Sequence, residues 1–221
     1  MPDWSFEEAA RRTGAQRIAG IDEAGRGPWA GPVTAAACVL DPDRVDADLL
    51  GAIDDSKVLA PERRAAVAEG LRASPGVVYA VAHATVAEID ATALRRAPLL
   101  AMRRAVRGLA AAPDYLLVDG RDRLKTRTPC EAVIDGDARS LSIAAASIFA
   151  KVARDALMGK LARRHPGYGW ERNMGYGTPE HQAALARLGV TPEHRRSWAP
   201  IRNMLGLWPA GTLHIESADS G

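Results

Sequence analysis

The sequence predicts an α/β fold in which helices pack on a mixed β-sheet. Strand-like segments come first along the chain, and helices then alternate with short strands, which is the order typical of such folds. Two of these strands, at residues 115–118 and 132–134, are apolar runs that are each followed directly by an aspartate. Because binding sites in open α/β sheets lie at the carboxyl ends of strands, we expect function at these ends.

The composition is that of an ordinary globular domain. The 221 residues are 47% hydrophobic and 25% charged, with a formal net charge of +2, so the chain as a whole is not a polycation. No apolar run is long enough to cross a bilayer, and the acidic N-terminus is not a signal peptide. The two cysteines lie far apart without metal-binding spacing, which indicates free thiols in a reducing cytoplasm. We therefore expect a cytoplasmic protein that has no contact with membranes.

The chain opens with a short lead-in, residues 1–16, that we expect to be helical from Ser5 to Arg12. Ser5 can cap this helix, because Glu8 follows three residues later as in a capping box. A later helix is expected to begin at Pro61, since proline is tolerated in the first helical turn. The other early elements are strands at 17–22, 32–40 and 77–81, and the helix at Pro61 is expected to reach residue 72.

The second half of the chain is dominated by helical patterns. Residues 86–109 are rich in Ala, Leu and Arg and predict one helix, or two that separate near Pro98. Between residues 142 and 164, apolar residues recur at steps of three and four, as in a long amphipathic helix. The last elements are expected to be a glycine-tyrosine loop made by residues 166–169 and 175–178, a helix capped by Thr178 that ends near Gly189, a short helix starting at Thr191, and a tail at 209–221.

Two adjacent carboxylates, Asp22 and Glu23, end the first apolar strand in the stretch IAGIDEAGRGPWAGPV, residues 18–33. Side chains alternate along a strand, so the two can share one site only if the strand ends there. The glycines on either side of Arg26 allow backbone to approach a ligand closely. This combination suits a metal ion beside a phosphate. A charged, glycine-rich hairpin turn explains the stretch equally well.

Two further acids follow apolar strands. Asp119 and Asp137 come after the strands at 115–118 and 132–134, so three converging strand ends would gather four carboxylates. Asp119 could instead belong to a solvated turn at the strand end. Asp137 could cap the helix that follows it, and Asp135 is the residue most easily mistaken for it.

Several short motifs follow one another between residues 17 and 204. They are DEAGRGP (22–28), DSK (55–57), VDG (118–120), GD (136–137), IAAASI (143–148), AKVARD (150–155), GYGT (175–178) and HRRS (194–197). In identity and in order these motifs resemble the ribonuclease HII family, and the resemblance covers nearly the whole chain.

The resemblance implies a ribonuclease H-like fold, with a five-stranded mixed sheet flanked by helices and a C-terminal helical segment that helps to hold nucleic acid. It implies an endonuclease that cuts 5′ to ribonucleotides in RNA–DNA hybrids and to single ribonucleotides in duplex DNA, leaving 3′-hydroxyl and 5′-phosphate ends. Two Mn²⁺ or Mg²⁺ ions would carry the chemistry. We expect a monomer whose catalytic domain spans residues 17–208 and which serves ribonucleotide excision repair and DNA replication.

The resemblance also assigns residues position by position. The metal-binding and catalytic residues are expected to be Asp22, Glu23, Asp119 and Asp137. The substrate-binding residues are expected to be Gly25, Arg26, Gly27, Lys57, Ser147, Lys151 and Tyr176. Backbone groups of residues 25–27 would meet the ribose 2′-hydroxyl, the group that distinguishes RNA from DNA. Tyr176 would sense the neighbouring deoxynucleotide, and its alternative role is to pack its loop against the core.

Basic residues are concentrated near the C-terminal end. Residues 151–202 hold ten lysines and arginines against four acids, a net charge of +6 compared with +2 for the whole chain. This asymmetry predicts a phosphate-binding face, although a solvated helical surface explains any single arginine. The histidines at 165, 181 and 194 lack metal-binding spacing, and we expect them to be structural or to lie near phosphates.

Two other functions remain open at this stage. One is a nuclease of the ribonuclease HIII type, which usually carries an extra N-terminal domain. The 16 residues before the first strand leave no room for such a domain. The other is a module that binds hybrids without cutting them, against which the four carboxylates argue.

Overall fold

A computed structural model describes residues 1–54, 59–92 and 96–207 of the chain. Its centre is a five-stranded mixed sheet in the order β3-β2-β1-β4-β5, as the sequence predicts. β1, β2 and β3 pair antiparallel, whereas β4 runs parallel to β1 and to β5. The strands are β1 (Ile18–Ala24), β2 (Val33–Leu40), β3 (Val77–Ala84), β4 (Tyr115–Asp119) and β5 (Cys130–Val133).

Helices cover both faces of this sheet. They are α1 (Ser5–Arg12), α2 (Ala47–Gly51), α3 (Pro61–Ala73), α4 (Val86–Thr92), α5 (Ala97–Arg107), α6 (Leu141–Arg164), α7 (Trp170–Asn173), α8 (Pro179–Leu188) and α9 (Ala199–Met204), with a 3₁₀ turn at Gly136–Ala138. In the described part of the chain, no helix combines the length and the apolar character that crossing a membrane requires.

Most of the predicted elements are confirmed, and α4 and α5 show that the 86–109 segment holds two helices. Residues 93–95 between them lie outside the described ranges, as do Lys57 and the predicted tail at 209–221. The predicted cap at Ser5 is wrong: Trp4 precedes the helix, and the Ser5 amide donates to Asp3 Oδ1 (2.9 Å).

The predicted helix at Thr191 is also wrong, because its hydroxyl is used in a turn. Thr191 Oγ1 accepts a hydrogen bond from the Glu193 amide (3.2 Å) and lies 2.9 Å from His194 Nδ1. Side-chain hydrogen bonds of this kind compete with helix formation. The last helix is α9, which begins at Ala199.

The position of α6 on the sheet is set at Gly20 in β1. A side chain there would overlap the backbone of Ser142 and Ile143 in the first turn of α6, so only glycine allows this approach. Ser140 caps the helix by accepting a hydrogen bond from the Ile143 amide (3.3 Å). Since Asp22 lies two residues beyond Gly20 on the same face of β1, this contact also fixes α6 relative to the acidic end of the strand.

The N-terminal helix α1 also contacts the first turn of α6, through the side chain of Glu7. Glu7 is almost completely buried, and its Oε1 accepts hydrogen bonds from the hydroxyls of Ser140 and Ser142, both at 2.6 Å. The Ser142 amide donates to the same oxygen (2.9 Å). A carboxylate at a helix N-terminus is favoured by the helix dipole, so Glu7 stabilises the start of α6.

We predict that Gly20→Ala lowers the free energy of unfolding by about 3 kcal/mol or more, because the new methyl group meets backbone that cannot move aside. Gly159→Ala is the matched control. Gly159 lies within α6 with no heavy atom inside 4 Å of the added carbon, so alanine there should raise stability by up to about 1 kcal/mol. Urea unfolding of the three proteins measures both effects. Similar midpoints for Gly20→Ala and the wild type would show that α6 does not approach β1 so closely.

Candidate active site

A cavity of about 350 Å³ opens at the carboxyl ends of β1 and β4. Its lining includes most of the predicted site residues, namely Asp22, Glu23, Gly25, Arg26, Gly27, Asp119, Ser147, Lys151 and Tyr176. Ala24, Arg154 and Met174 complete it. Asp137 does not line this cavity, and Lys57 lies outside the described residues.

The strand pairing brings the acids to this cavity. β1 and β4 are in parallel register up to Ile21 and Val118, so the residues that follow them, Asp22 and Asp119, lie side by side. β1 continues along β2 to Ala24, two residues past the predicted end of the strand, and Asp22 and Glu23 therefore leave from opposite faces. Both reach the cavity because β4 ends at Asp119 and leaves this edge of β1 uncovered.

The three acids repel one another. Burial raises the pKa of Asp22 well above its ordinary value, and the neighbouring Glu23 and Asp119 raise it further. Hydrogen bonds from Ser147 and from the Glu23 amide (2.6 Å) oppose this effect only in part. Burial and Asp119 also raise the pKa of Glu23, although Arg26 lies 3.2 Å away and lowers it.

This donor set suits a hard divalent cation. Within the described ranges, no three His, Cys, Asp or Glu side chains already form a compact metal-binding group. Asp22, Glu23 and Asp119 instead surround one cavity, where a cation would offset both the repulsion and the loss of hydration that raise these pKa values. Carboxylate oxygens are ligands that Mg²⁺ and Mn²⁺ prefer, so the residues present fit either ion.

Asp137 lies close behind these acids. It is buried in the 3₁₀ turn after β5, and the amide of its neighbour Gly136 donates to Asp119 Oδ1 (2.8 Å). The turn that carries Asp137 is therefore fastened directly to an acid of the cavity. Ser140, not Asp137, caps α6, so the capping alternative is wrong, and Asp135 is exposed.

Two buried arginines hold the loop of residues 25–32. Arg195 donates to the carbonyl oxygens of Gly25 (2.6 Å), Arg26 (2.7 Å) and Gly31 (2.9 Å). Arg154 donates to those of Pro32 (2.7 Å) and Ala30 (3.3 Å). Together they fix the backbone that is expected to read the ribose.

Neither Arg154 nor Arg195 belongs to an exposed phosphate-binding face, so this part of the prediction from charge is wrong. Arg154 is 2% exposed and Arg195 is fully buried. Burial lowers their pKa values, to about 10 for Arg154 and about 9 for Arg195, so both remain charged at neutral pH. Gly25 has a φ of +91°, and any side chain there would overlap Arg154, which explains why glycine occupies this position.

The remaining basic residues of this region differ in exposure. Lys160, Arg163, Arg164, Arg172, Arg187 and Arg196 are exposed. Arg172 pairs with Glu171 and Glu180. Lys151 lines the cavity and pairs with Asp155 (2.7 Å), while Ser147 is bonded to Asp22. Phosphate binding by these residues stays a prediction.

Tyr176 lines the same cavity and lies beside Gly27 of the residue 25–27 loop. Its side chain is 49% exposed, and a carbon added to Gly27 would lie 3.4 Å from Tyr176 Cε1. The glycines on either side of it, Gly175 and Gly177, lie so close to Ala30 and Trp29 that added side chains would clash. The loop is therefore packed against the core by its glycines, and the tyrosine ring remains available to a ligand.

The chain is similar to known proteins along most of its length. The family model for ribonuclease HII matches residues 19–201. The ribonuclease HII of Ruegeria sp. (strain TM1040) is 56% identical over 205 residues, covering 92% of this chain and 87% of that protein. The ribonuclease HII of Rhodospirillum rubrum is 54% identical over 205 residues, covering 93% of this chain and 92% of that protein.

The similarity extends to solved structures. The crystal structure of ribonuclease H2 from Pyrococcus horikoshii OT3 superposes with a TM-score of 0.71 at 28% identity. The match covers 86% of this chain and 97% of that one. The ribonuclease H-like fold predicted from the motifs is thereby confirmed.

We predict that Arg195→Lys lowers the free energy of unfolding by about 2–4 kcal/mol, because one ammonium group cannot satisfy three separated, buried carbonyls. The matched control is Arg196→Lys at the next position, whose side chain is exposed and whose replacement should leave stability unchanged. Urea unfolding with both proteins decides the matter. Equal stability of the two variants would mean that the guanidinium group of Arg195 does not hold the loop of residues 25–32.

Proposed function

The chain belongs to the ribonuclease HII family, and we propose that it cuts on the 5′ side of ribonucleotides in RNA–DNA hybrids and in duplex DNA. Members of this family are metal-dependent endoribonucleases that act on RNA paired with DNA. One observation carries the finer proposal: three carboxylates line a cavity that the residue 25–27 loop and Tyr176 also line. The carboxylates proposed for catalysis therefore lie in the same cavity as the two groups proposed to recognise the sugars, the residue 25–27 loop and Tyr176.

We propose that the acids hold two divalent ions. Asp22, Glu23 and Asp119 would bind them, joined by Asp137 from the turn behind Asp119. When bound, Mg²⁺ or Mn²⁺ supplies an activated water and stabilises charge on the phosphate. Ser147 and the Glu23 amide keep the Asp22 carboxylate in one orientation, which reduces the reorganisation needed when substrate arrives.

The residue 25–27 loop is proposed to recognise the ribose. Arg195 donates hydrogen bonds to the carbonyl oxygens of Gly25 and Arg26 and so fixes the position of this backbone. The amides of the loop can then donate to a 2′-hydroxyl, and no side chain stands between a sugar and the two glycines. A 2′-hydroxyl is present only on a ribonucleotide, so this contact would choose the nucleotide that is cut.

Phosphates would be bound beside the cavity and along the helices that follow it. Lys151 and Ser147 line the cavity, and we retain both, with Lys57, as proposed phosphate contacts. The exposed cations of α6 and α8, such as Arg163 and Arg187, suit the flanking duplex. We propose that the protein acts as a monomer in the cytoplasm, in the repair of ribonucleotides left in DNA and in replication.

The two other functions are less well supported. The matched family model is that of ribonuclease HII, which disfavours assignment to the ribonuclease HIII type. A module that only binds hybrids does not need a buried Asp22 whose pKa is raised further by Glu23 and Asp119, because the repulsion lowers stability without strengthening binding.

The proposed chemistry is tested with a DNA duplex that carries a single ribonucleotide. We expect cutting with Mg²⁺ or Mn²⁺ and none after chelation. Asp119→Asn should lower kcat by at least about two orders of magnitude, because it removes a charged ligand worth several kcal/mol in the transition state. Binding of a labelled hybrid should hardly change.

Asp135→Asn is the matched control, since Asp135 is an exposed acid in the turn before Asp137, and its activity should equal that of the wild type. An Asp119→Asn protein that keeps a tenth of the wild-type rate, or a wild type that cuts after thorough removal of metal, would contradict the proposed mechanism.

Tyr176 is proposed to read the nucleotide on the 3′ side of the ribonucleotide. A ring that lies on a deoxyribose would be crowded by a 2′-hydroxyl, so it favours a junction from RNA to DNA. Contacts of the stacking type are worth about 1–3 kcal/mol, which is roughly one to two orders of magnitude in rate. Tyr176→Ala should therefore lose more kcat/KM on a single ribonucleotide in DNA than on an all-RNA strand paired with DNA.

Tyr176→Phe serves as the control, because it keeps the ring and should keep the preference. The measurement is kcat/KM on both substrates for all three proteins. If Tyr176→Ala loses equally on both substrates, Tyr176 supports the site in general and does not read the junction.

A further inference from the structure

Two buried histidines lie behind the loop that carries Tyr176. His181 and His194 have no exposed surface, and their Nε2 atoms are 3.1 Å apart. Trp170 Nε1 lies 3.1 Å from the same His181 nitrogen. On its other edge, His181 Nδ1 lies 2.9 Å from the backbone carbonyl oxygen of Tyr176. The proposed reaction uses neither histidine.

The neighbours of these rings fix where each proton lies. The Thr191 amide donates to His194 Nδ1 (2.9 Å), so that nitrogen is an acceptor and the His194 proton is on Nε2. This N–H and the Trp170 indole N–H, which can only donate, both face His181 Nε2, which therefore accepts. His181 keeps its proton on Nδ1 and donates it to the Tyr176 carbonyl.

Both rings are neutral in this arrangement. Burial lowers the pKa of His181, and burial together with His181 lowers the pKa of His194 to about 4. A second proton on His181 Nε2 would also confront two N–H donors. The hydrogen bonds therefore run in one direction, from Thr191 through His194 and His181 to Tyr176.

The segment of residues 193–195, which contains His194, also holds the loop of residues 25–32. The Gly31 amide donates to the Glu193 carbonyl (2.8 Å), and the Arg195 amide donates to the Trp29 carbonyl (2.8 Å). His194 lies between these two contacts, and the side chain of its neighbour Arg195 binds the residue 25–27 loop. One short segment, residues 193–195, thus fixes both walls of the cavity.

We propose that His181 is a positioning residue for Tyr176. Its hydrogen bond to the Tyr176 carbonyl would hold the exposed ring beside Gly27, in the position from which it would contact a deoxyribose. This proposal rests on the proposed function, because it presumes that Tyr176 reads the nucleotide 3′ to the ribonucleotide. It adds a residue outside the cavity that determines which junction is cut.

Two substitutions of His181 distinguish the hydrogen bond made by Nδ1 from those made by Nε2. The amide nitrogen of asparagine takes the place of Nδ1 and can donate to the Tyr176 carbonyl, whereas the amide of glutamine takes the place of Nε2 and faces Trp170 and His194. Both replace a buried aromatic ring, so both should lower stability. Only His181→Gln removes the contact with Tyr176.

The readout is discrimination, defined as kcat/KM on a single ribonucleotide in duplex DNA divided by kcat/KM on an all-RNA strand paired with DNA. We expect His181→Gln to lower it about tenfold, as Tyr176→Ala should, and His181→Asn to keep it within about threefold of the wild type. His165→Gln is the control, because His165 packs on the same Trp170 ring at 5.6 Å and should leave discrimination unchanged.

Each outcome is decisive. If Tyr176→Ala lowers discrimination while His181→Gln does not, or if the asparagine and glutamine variants lose it equally, the positioning role is wrong and the proposed function stands. If Tyr176→Ala leaves discrimination unchanged, junction reading fails and the positioning role fails with it.

A second measurement needs neither substrate nor a variant. In the ¹⁵N NMR spectrum of the labelled wild-type protein at neutral pH, we expect His181 protonated on Nδ1 and His194 on Nε2. The opposite tautomer of His181, which has no proton on Nδ1, could not donate to the Tyr176 carbonyl and would overturn the proposal.

Discussion

The candidate site depends on the contact between two buried guanidinium groups and the carbonyls of an irregular loop. Burying a charge costs several kcal/mol unless the charge is well hydrogen-bonded, and Arg154 and Arg195 meet this requirement with backbone oxygens of residues 25–32 and of Met174. In a helix or a sheet, these carbonyl oxygens would accept hydrogen bonds from backbone amides. Here the arginines donate them instead, which lets the loop stay bare enough for a nucleotide and still be rigid.

Much of the fold could be predicted from the sequence, because its determinants are local. Apolar runs that end in acids mark β1 and β4, and steps of three and four apolar residues mark α6. What failed was local structure with competing hydrogen bonds: Thr191 has the pattern of a helix start, yet its hydroxyl binds inside a turn. The approach of α6 to Gly20 was also invisible, since a glycine within a strand does not say which element packs on it.

For the site, acids were easier to predict than the residues that hold them. Asp22 and Asp119 follow strand ends, and the parallel pairing of β1 with β4 makes their meeting a geometric consequence. Arg154 and Arg195 carry no such signal, because their partners are main-chain carbonyls that have no residue identity, and net charge counts a buried arginine like an exposed one. His181 and His194 were expected to be structural or near phosphates, and only the three-dimensional arrangement shows the direction of their hydrogen bonds.

The buried link between Glu7 and the start of α6 bears on how this chain acquires its fold during synthesis. Its two ends are 133 and 135 residues apart in sequence, so α1 leaves the ribosome long before its docking partner exists. At about 5–20 residues per second, the wait is roughly 7–27 s. Throughout that interval the apolar side of a helix only eight residues long is uncovered, and so short a helix is barely stable alone. The hydrogen bonds of Glu7 therefore form late: α1 is made well before α6 and becomes native only after the start of α6 has been made.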